Sequence, residues 1–277
     1  MIIDCHTHIF PEKIKNNREK YFNGEDQFSL LYKNPKSKIA TAEELIESMN
    51  KNYIDKSIVF GFPWNNKKNA VENNDYIIEK VKIFKERLIP FACFNPCSDY
   101  SLNEAERCIK NGFKGFGELS FYKSDFDTKT TKILEPFMDM AYKFNLPVML
   151  HTNEPTGHNY NGKAPITIGN LGNLLNHFNK NKIILSHLGG GLLFYLLLKK
   201  PPEMKNILFD TAAIPFIYKK NIYKILQEMG LEEKIILGTD FPLISPERYF
   251  NEINENKLSD KFLKKIYSEN ILLFTGL

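Results

Sequence analysis

Residues 1–8 read MIIDCHTH, an apolar opening that carries Asp4, His6 and His8 within one short run. In a strand, residues two apart share a face, so His6 and His8 would project together while Cys5 and Thr7 point the opposite way, towards covering helices. Two imidazoles on one face at a strand end suit a single metal ion, but a pair of ordinary histidines has the same spacing. The rest of the chain decides between them.

Seven further apolar or β-branched runs follow: KSIVFGF (56–62), LIPFACF (88–94), FKGFGEL (113–119), LPVMLHT (146–152), KIILSHL (182–188), NILFDTA (206–212) and KIILGTD (234–240). Amphipathic stretches such as ENNDYIIEKVKIFKE (72–86) and TKILEPFMDMAYKF (131–144) lie between them, and LSDKFLKKIYSENILLF (258–274) reads as a closing helix. Eight strands alternating with helices predict an α/β fold, the (β/α)8 TIM barrel, in one domain over residues 1–277. Thr41 with Glu44 forms a capping box ahead of one helix. Long connections at 9–40 and 153–166 leave the C-terminal ends of the first and fifth strands, where barrel active sites are built, so both are expected to wall a substrate site.

Composition narrows the function classes. The 277 residues, 43% hydrophobic and 25% charged, describe an ordinary soluble enzyme-sized chain. The net charge of +4 is small, and arginine occurs only at Arg18, Arg87, Arg107 and Arg248, which argues against a nucleic-acid partner. Cys5, Cys93, Cys97 and Cys108 form no C-x-x-C pair. With no signal-like start and no long apolar run, we expect reduced thiols, no membrane span and a cytoplasmic location. Composition leaves homo-oligomerisation open.

The candidate chemistry sits at strand ends. His151 closes the fifth run, His187 the sixth and Asp240 the eighth, while Glu118 lies near the end of the fourth. Ionisable groups closing apolar parallel strands are what a catalytic barrel face requires, and imidazoles with a carboxylate form a donor set for zinc and its first-row neighbours. In the loop HTNEPTGHNYNGKAP (151–165), His158, Tyr160 and Lys163 are candidates for binding an anionic small molecule, as is Arg248 in DFPLISPER. Trp64 suits a pocket wall or the core equally. The run Leu192–Leu198 reads as a buried helix face, His177 as a helix-surface histidine, and GGG at 189–191 lacks nucleotide-binding spacing.

Taken together, DCHTH (4–8), VMLHT around His151, ILSHLGGG around His187 and ILGTDFP around Asp240 resemble the amidohydrolase superfamily, in its amidohydrolase-related branch of hydrolases and decarboxylases. The resemblance covers essentially the whole chain, with the motifs in family order. It implies that His6, His8, His151 and Asp240 bind a metal and that His187 ligates a second ion or polarises the substrate. Many relatives place a carboxylated lysine on strand four. Here Glu118 stands there, as in TatD-type deoxyribonucleases, either as a ligand or as a hydrogen-bond acceptor behind one. The expected activity is metal-dependent hydrolysis of an amide, lactone or similar bond in a small anionic substrate, using one or two ions with zinc as first choice. The metal would acidify its bound water, bringing its pKa down to about 7, and Asp240 would move its proton. The alternative is decarboxylation or hydration of a small carboxylic acid on the same face.

Overall fold

The computed structural model describes residues 1–276. All eight strands form: β1 (Ile3–His8), β2 (Lys56–Phe60), β3 (Leu88–Pro90), β4 (Phe116–Leu119), β5 (Val148–Leu150), β6 (Ile183–Leu185), β7 (Ile207–Asp210) and β8 (Ile235–Ile236). Pairing is parallel throughout, in the orders β1-β2-β3 and β4-β5-β6-β7-β8. Two seams join these sheets. Between β3 and β4, Ala92 bridges Phe116 and its backbone N–H reaches Gly115 O at 2.9 Å. Between β8 and β1, Thr7 bridges Phe241, and Cys5 N–H donates to Leu237 O at 2.8 Å. The result is the expected TIM barrel.

Alternation divides the core. One cluster contains Cys5, Ile58, Phe60, Phe91, Met149, Ile184, Leu208 and Ile236, the inward faces of their strands. The other contains Val59, Leu150, Leu185 and Phe209 packed against the helices. Cys5 therefore points inward, contrary to simple alternation. The β1–β2 register shifts between Asp4 and Thr7, so Ile3 pairs with Lys56 but His8 with Phe60. One extra residue lets Cys5 and His6 both face the barrel while Thr7 turns out and donates its hydroxyl to Ile58 O at 2.7 Å. A second shift, between Phe116 and Leu119 on β4, does the same for Glu118. Both irregularities fall on candidate site residues.

The capping box forms as expected, with Thr41 Oγ1 accepting from Glu44 N and Glu44 Oε2 from Thr41 N at the start of the helix Ala42–Lys51. The 9–40 connection is a folded element containing helices Glu12–Asn16 and Asp26–Tyr32. Buried Phe28 pins it to Phe10, Phe62 and Trp64. Trp64 is thus a core residue, fully buried, its indole N–H on Asn73 Oδ1 at 3.2 Å. The closing helix is interrupted by a π-turn at Lys265–Glu269.

The expectation for Leu192–Leu198 needs correction. Leu192 and Leu193 are buried, but Tyr195, Leu197 and Leu198 are exposed. The segment is a series of tight turns, begun by left-handed residues from His187 to Gly191, with no single helical face to bury. Gly190 serves that turn: at φ +59° a Cβ there would stand 2.2 Å from Asn153 O. Among the described residues no helix is long and apolar enough to cross a membrane.

Candidate metal centre

The strand ends bring His6, His8, Glu118, His151, His187 and Asp240 into two adjoining groups. His6, His8 and Asp240 form one, Glu118, His151 and His187 the other, and within each the ligand atoms lie within 4.8 Å of one another. His6 Nε2 joins them, 3.9 Å from Glu118 Oε1 and 3.8 Å from Asp240 Oδ1. His8 Nε2 lies 3.4 Å from Asp240 Oδ1, and His187 Nε2 lies 3.6 Å from Glu118 Oε1. Gly238, in the GTD motif, makes the approach of β8 to β1 feasible, since a Cβ there would meet His6 Cβ at 2.8 Å.

Each imidazole commits one nitrogen to a protein acceptor. His6 Nδ1 donates to Asp210 Oδ2 at 2.8 Å, His8 Nδ1 to Gly61 O at 2.9 Å, His187 Nδ1 to Ala212 O at 2.8 Å and His151 Nε2 to Gly162 O at 3.0 Å. Carbonyl and carboxylate oxygens can only accept, so these nitrogens carry hydrogen and the tautomers follow. The second nitrogen of each ring then turns inward, those of His6 and His8 to Asp240 and those of His6, His151 and His187 to Glu118. Lone pairs facing carboxylates are satisfied only by a cation between them, whether protons or a metal. His6 Nε2, fully buried and without a hydrogen-bond partner, is the sharpest instance. The residues therefore fit a divalent ion, and their donor types suit a transition metal.

The electrostatics agree. Burial would make His6 and His187 weak bases, but Asp210 and Glu118 push His6 up to about 9, and Glu118 with Asp240 and Asp210 pushes His187 up to about 10. Against its own burial, Asp240 is held down at about 2 by its hydrogen bond to His8 and by the charges of His6, His8 and His187. Glu118, also opposed by burial, is driven well below the carboxylate range, first by His151. Asp4, pushed up to about 7 by burial, ties β1 to the β8 end through Thr239, whose N–H and hydroxyl reach it at 3.0 and 2.6 Å.

Asp210 escaped the sequence reading, although it closes the apolar stretch ILF in NILFDTA and is the last residue of β7. Its Oδ2 orients His6, while Oδ1 accepts from the backbone N–H groups of His187 and Ala212, both at 2.9 Å. An asparagine has one acceptor for these two tasks. With Oδ1 kept on the backbone, its amide would face His6 Nδ1 and force the hydrogen onto Nε2, where it blocks a metal. Asp210→Asn should therefore weaken divalent-metal binding by about 10–100-fold, measured by competition with a chromogenic chelator. An unchanged affinity would dissociate Asp210 from the site.

A cavity of about 900 Å³ opens on this cluster. His8, Glu118, His151, His187 and Asp240 form its floor, Tyr32, Phe62, Tyr122 and Phe216 stand in its walls, and both long connections contribute lining. His158 and Tyr160 line it as well. Lys163 and Arg248 do not. The Lys163 ammonium donates to the carbonyls of Thr156, at 2.9 Å, and His158, while Arg248 binds Glu252 at 3.0 Å and the Pro215 carbonyl. His177 is on the surface, 3.2 Å from Glu135. Tyr32, Tyr122, Lys36 and Lys38 reach the cavity without having been singled out, because the folding of the long connections, not any local motif, brings them there.

A sequence model of the family described as Amidohydrolase matches residues 3–272. No curated protein sequence matches the chain. Among solved structures, 5-carboxyvanillate decarboxylase from Novosphingobium aromaticivorans, complexed with manganese and a nitrobenzoic acid, superposes with TM-score 0.76 at 15% identity, covering 100% of this chain and 96% of that one. A 2,6-dihydroxybenzoate decarboxylase from Rhizobium gives 0.67 at 17% identity, with 99% and 98% covered. A probable 2-pyrone-4,6-dicarboxylic acid hydrolase from Acinetobacter baumannii gives 0.68 at 15%, with 100% and 99% covered. At these identities the likeness concerns the fold.

Proposed function

This chain belongs to the amidohydrolase family, and from that premise we propose that it is a metal-dependent, non-oxidative decarboxylase of a small aromatic or similarly unsaturated carboxylic acid. The observation that carries the reading is the aromatic-walled cavity placed directly over the imidazole and carboxylate cluster. Decarboxylases of aromatic acids among the similar folds support it over the hydrolysis expected from sequence.

We assign the ion to His6, His8, His151 and Asp240, with Glu118 facing His6 as a further donor, and manganese replaces zinc as first choice because a similar fold is complexed with it. When bound, the ion supplies Lewis-acid stabilisation of negative charge and a fixed point for an acidic substrate. His187, kept protonated by Glu118, donates a charge-assisted hydrogen bond to the substrate carboxylate. Tyr122, whose ring lies 5.2 Å from that of His151, and Phe62 hold the planar ring and keep water away. Loss of carbon dioxide breaks the carbon–carbon bond and leaves the electron pair on the ring carbon, which takes one proton. Asp240, ionised at neutral pH, collects that proton from an acidic substrate hydroxyl or solvent and passes it to carbon.

The test is carbon dioxide release from a panel of hydroxybenzoic and benzenedicarboxylic acids by manganese-loaded protein. Release should cease with a chelator and return on adding manganese. Hydrolysis of lactones or amides without carbon dioxide release would replace the reading with the second one, favoured by the similar pyrone hydrolase fold.

A further inference from the structure

The floor of the cavity can accept one acidic group, yet its rim carries two more cations. Lys36 and Lys38 line the cavity at its solvent edge, on the connection after β1. On the same connection Lys13 pairs with Glu72 and Lys15 with Glu44, while Lys20 and Lys33, which make no ion pair among the described residues, do not line the cavity. Lys36 and Lys38 form no ion pair among the described residues. Their segment is nonetheless held in shape. The Arg18 guanidinium donates to the carbonyls of Tyr32 and Asn34, both at 3.4 Å, and of Ser37 at 2.7 Å. The Asn34 side chain accepts from Lys36 N at 3.0 Å, its carbonyl accepts from Ser37 N at 2.9 Å, and Asn161 Nδ2 donates to Leu30 O at 3.0 Å across the mouth. A loop fixed on three sides, with two unpaired ammonium groups at a cavity edge, presents charge to whatever enters.

Tyr32 stands between rim and floor, in the same segment, and lines the cavity with its ring 6.2 Å from that of Phe62. The order from outside inward is thus cations, aromatic walls, then imidazoles and carboxylates.

We infer that the segment Leu31–Lys38 is the specificity element of this site, and that Lys36 and Lys38 receive a second acidic group on the substrate, at the end remote from the metal. The substrate class is then an aromatic or unsaturated dicarboxylic acid. The inference rests on the proposed function only in taking this cavity as the substrate site. Lys163 and Arg248, which the sequence suggested for anion binding, are bound to other partners and leave the role to this pair.

Binding, read without turnover, tests it. Manganese-loaded protein is titrated calorimetrically with isophthalate and with benzoate, which lacks the second carboxylate. Wild-type protein should prefer isophthalate by about tenfold or more in low salt, and the preference should shrink in about 0.5 M sodium chloride. The double variant Lys36→Gln/Lys38→Gln should bind both acids within about threefold of each other, whereas Lys36→Arg/Lys38→Arg should keep the preference. Equal preference in wild type and the Gln variant, or none in wild type, overturns the inference. Because decarboxylation is not measured, a protein that discriminates the two acids but releases no carbon dioxide refutes the proposed reaction and leaves this inference standing.

Discussion

Asp240→Asn should lower kcat for decarboxylation by about a thousandfold, within the range that general acid–base groups supply. An amide can neither collect the proton nor deliver it to the ring carbon. It also presents one oxygen where the carboxylate presents two, so the 3.4 Å approach of His8 Nε2 to Oδ1 could meet an N–H instead. The position favours a clean result. Asp240 has φ +58°, a conformation that asparagine tolerates better than most residues, so the fold should be retained. Steady-state kinetics with metal analysis separates the two losses. If metal content returns at high manganese but kcat stays low, proton transfer was removed. Recovery of kcat under the same conditions would limit Asp240 to metal binding.

His6→Ala should have the largest effect on the centre itself. It removes the nitrogen that faces both Glu118 and Asp240, and it strands Asp210 Oδ2, a buried acceptor, without its donor. Activity should be undetectable and bound manganese should fall below about a tenth of the wild-type content. A buried carboxylate oxygen left unsatisfied costs roughly 2 kcal/mol, or about 5 °C in Tm for a chain of this size. Elemental analysis and thermal unfolding give both numbers. Wild-type metal content in His6→Ala would remove His6 from the ligand set.

How much of this was legible in the sequence differs from residue to residue. The eight strands and the placing of His151, His187 and Asp240 at their ends follow from apolar runs closed by ionisable residues, a signal local to each run. The inward turn of Cys5 beside His6 was not legible, because the shift between Asp4 and Thr7 is a relation between β1 and β2 that neither strand records alone. The same holds for Glu118 on β4. Lys163 and Arg248 looked like anion binders because sequence shows a charge but not its partners. Lys36 and Lys38 carry no motif, and their place at the cavity edge comes from Arg18 and Asn34 fixing the loop there.

Charge and metal assembly are linked at the mouth. Glu118, Asp210 and Asp240 surround His6 and His187, and protons on these two imidazoles balance the carboxylates when no metal does. Metal binding must displace a proton from His6, so affinity should fall as pH falls below about 9.

The most direct test of the central claim is anomalous scattering at the manganese edge from crystals of manganese-loaded protein. A peak is expected within coordination distance of His6 Nε2, His8 Nε2 and Asp240, on the cavity floor. A manganese peak elsewhere, or none at that position in fully loaded protein, would contradict it.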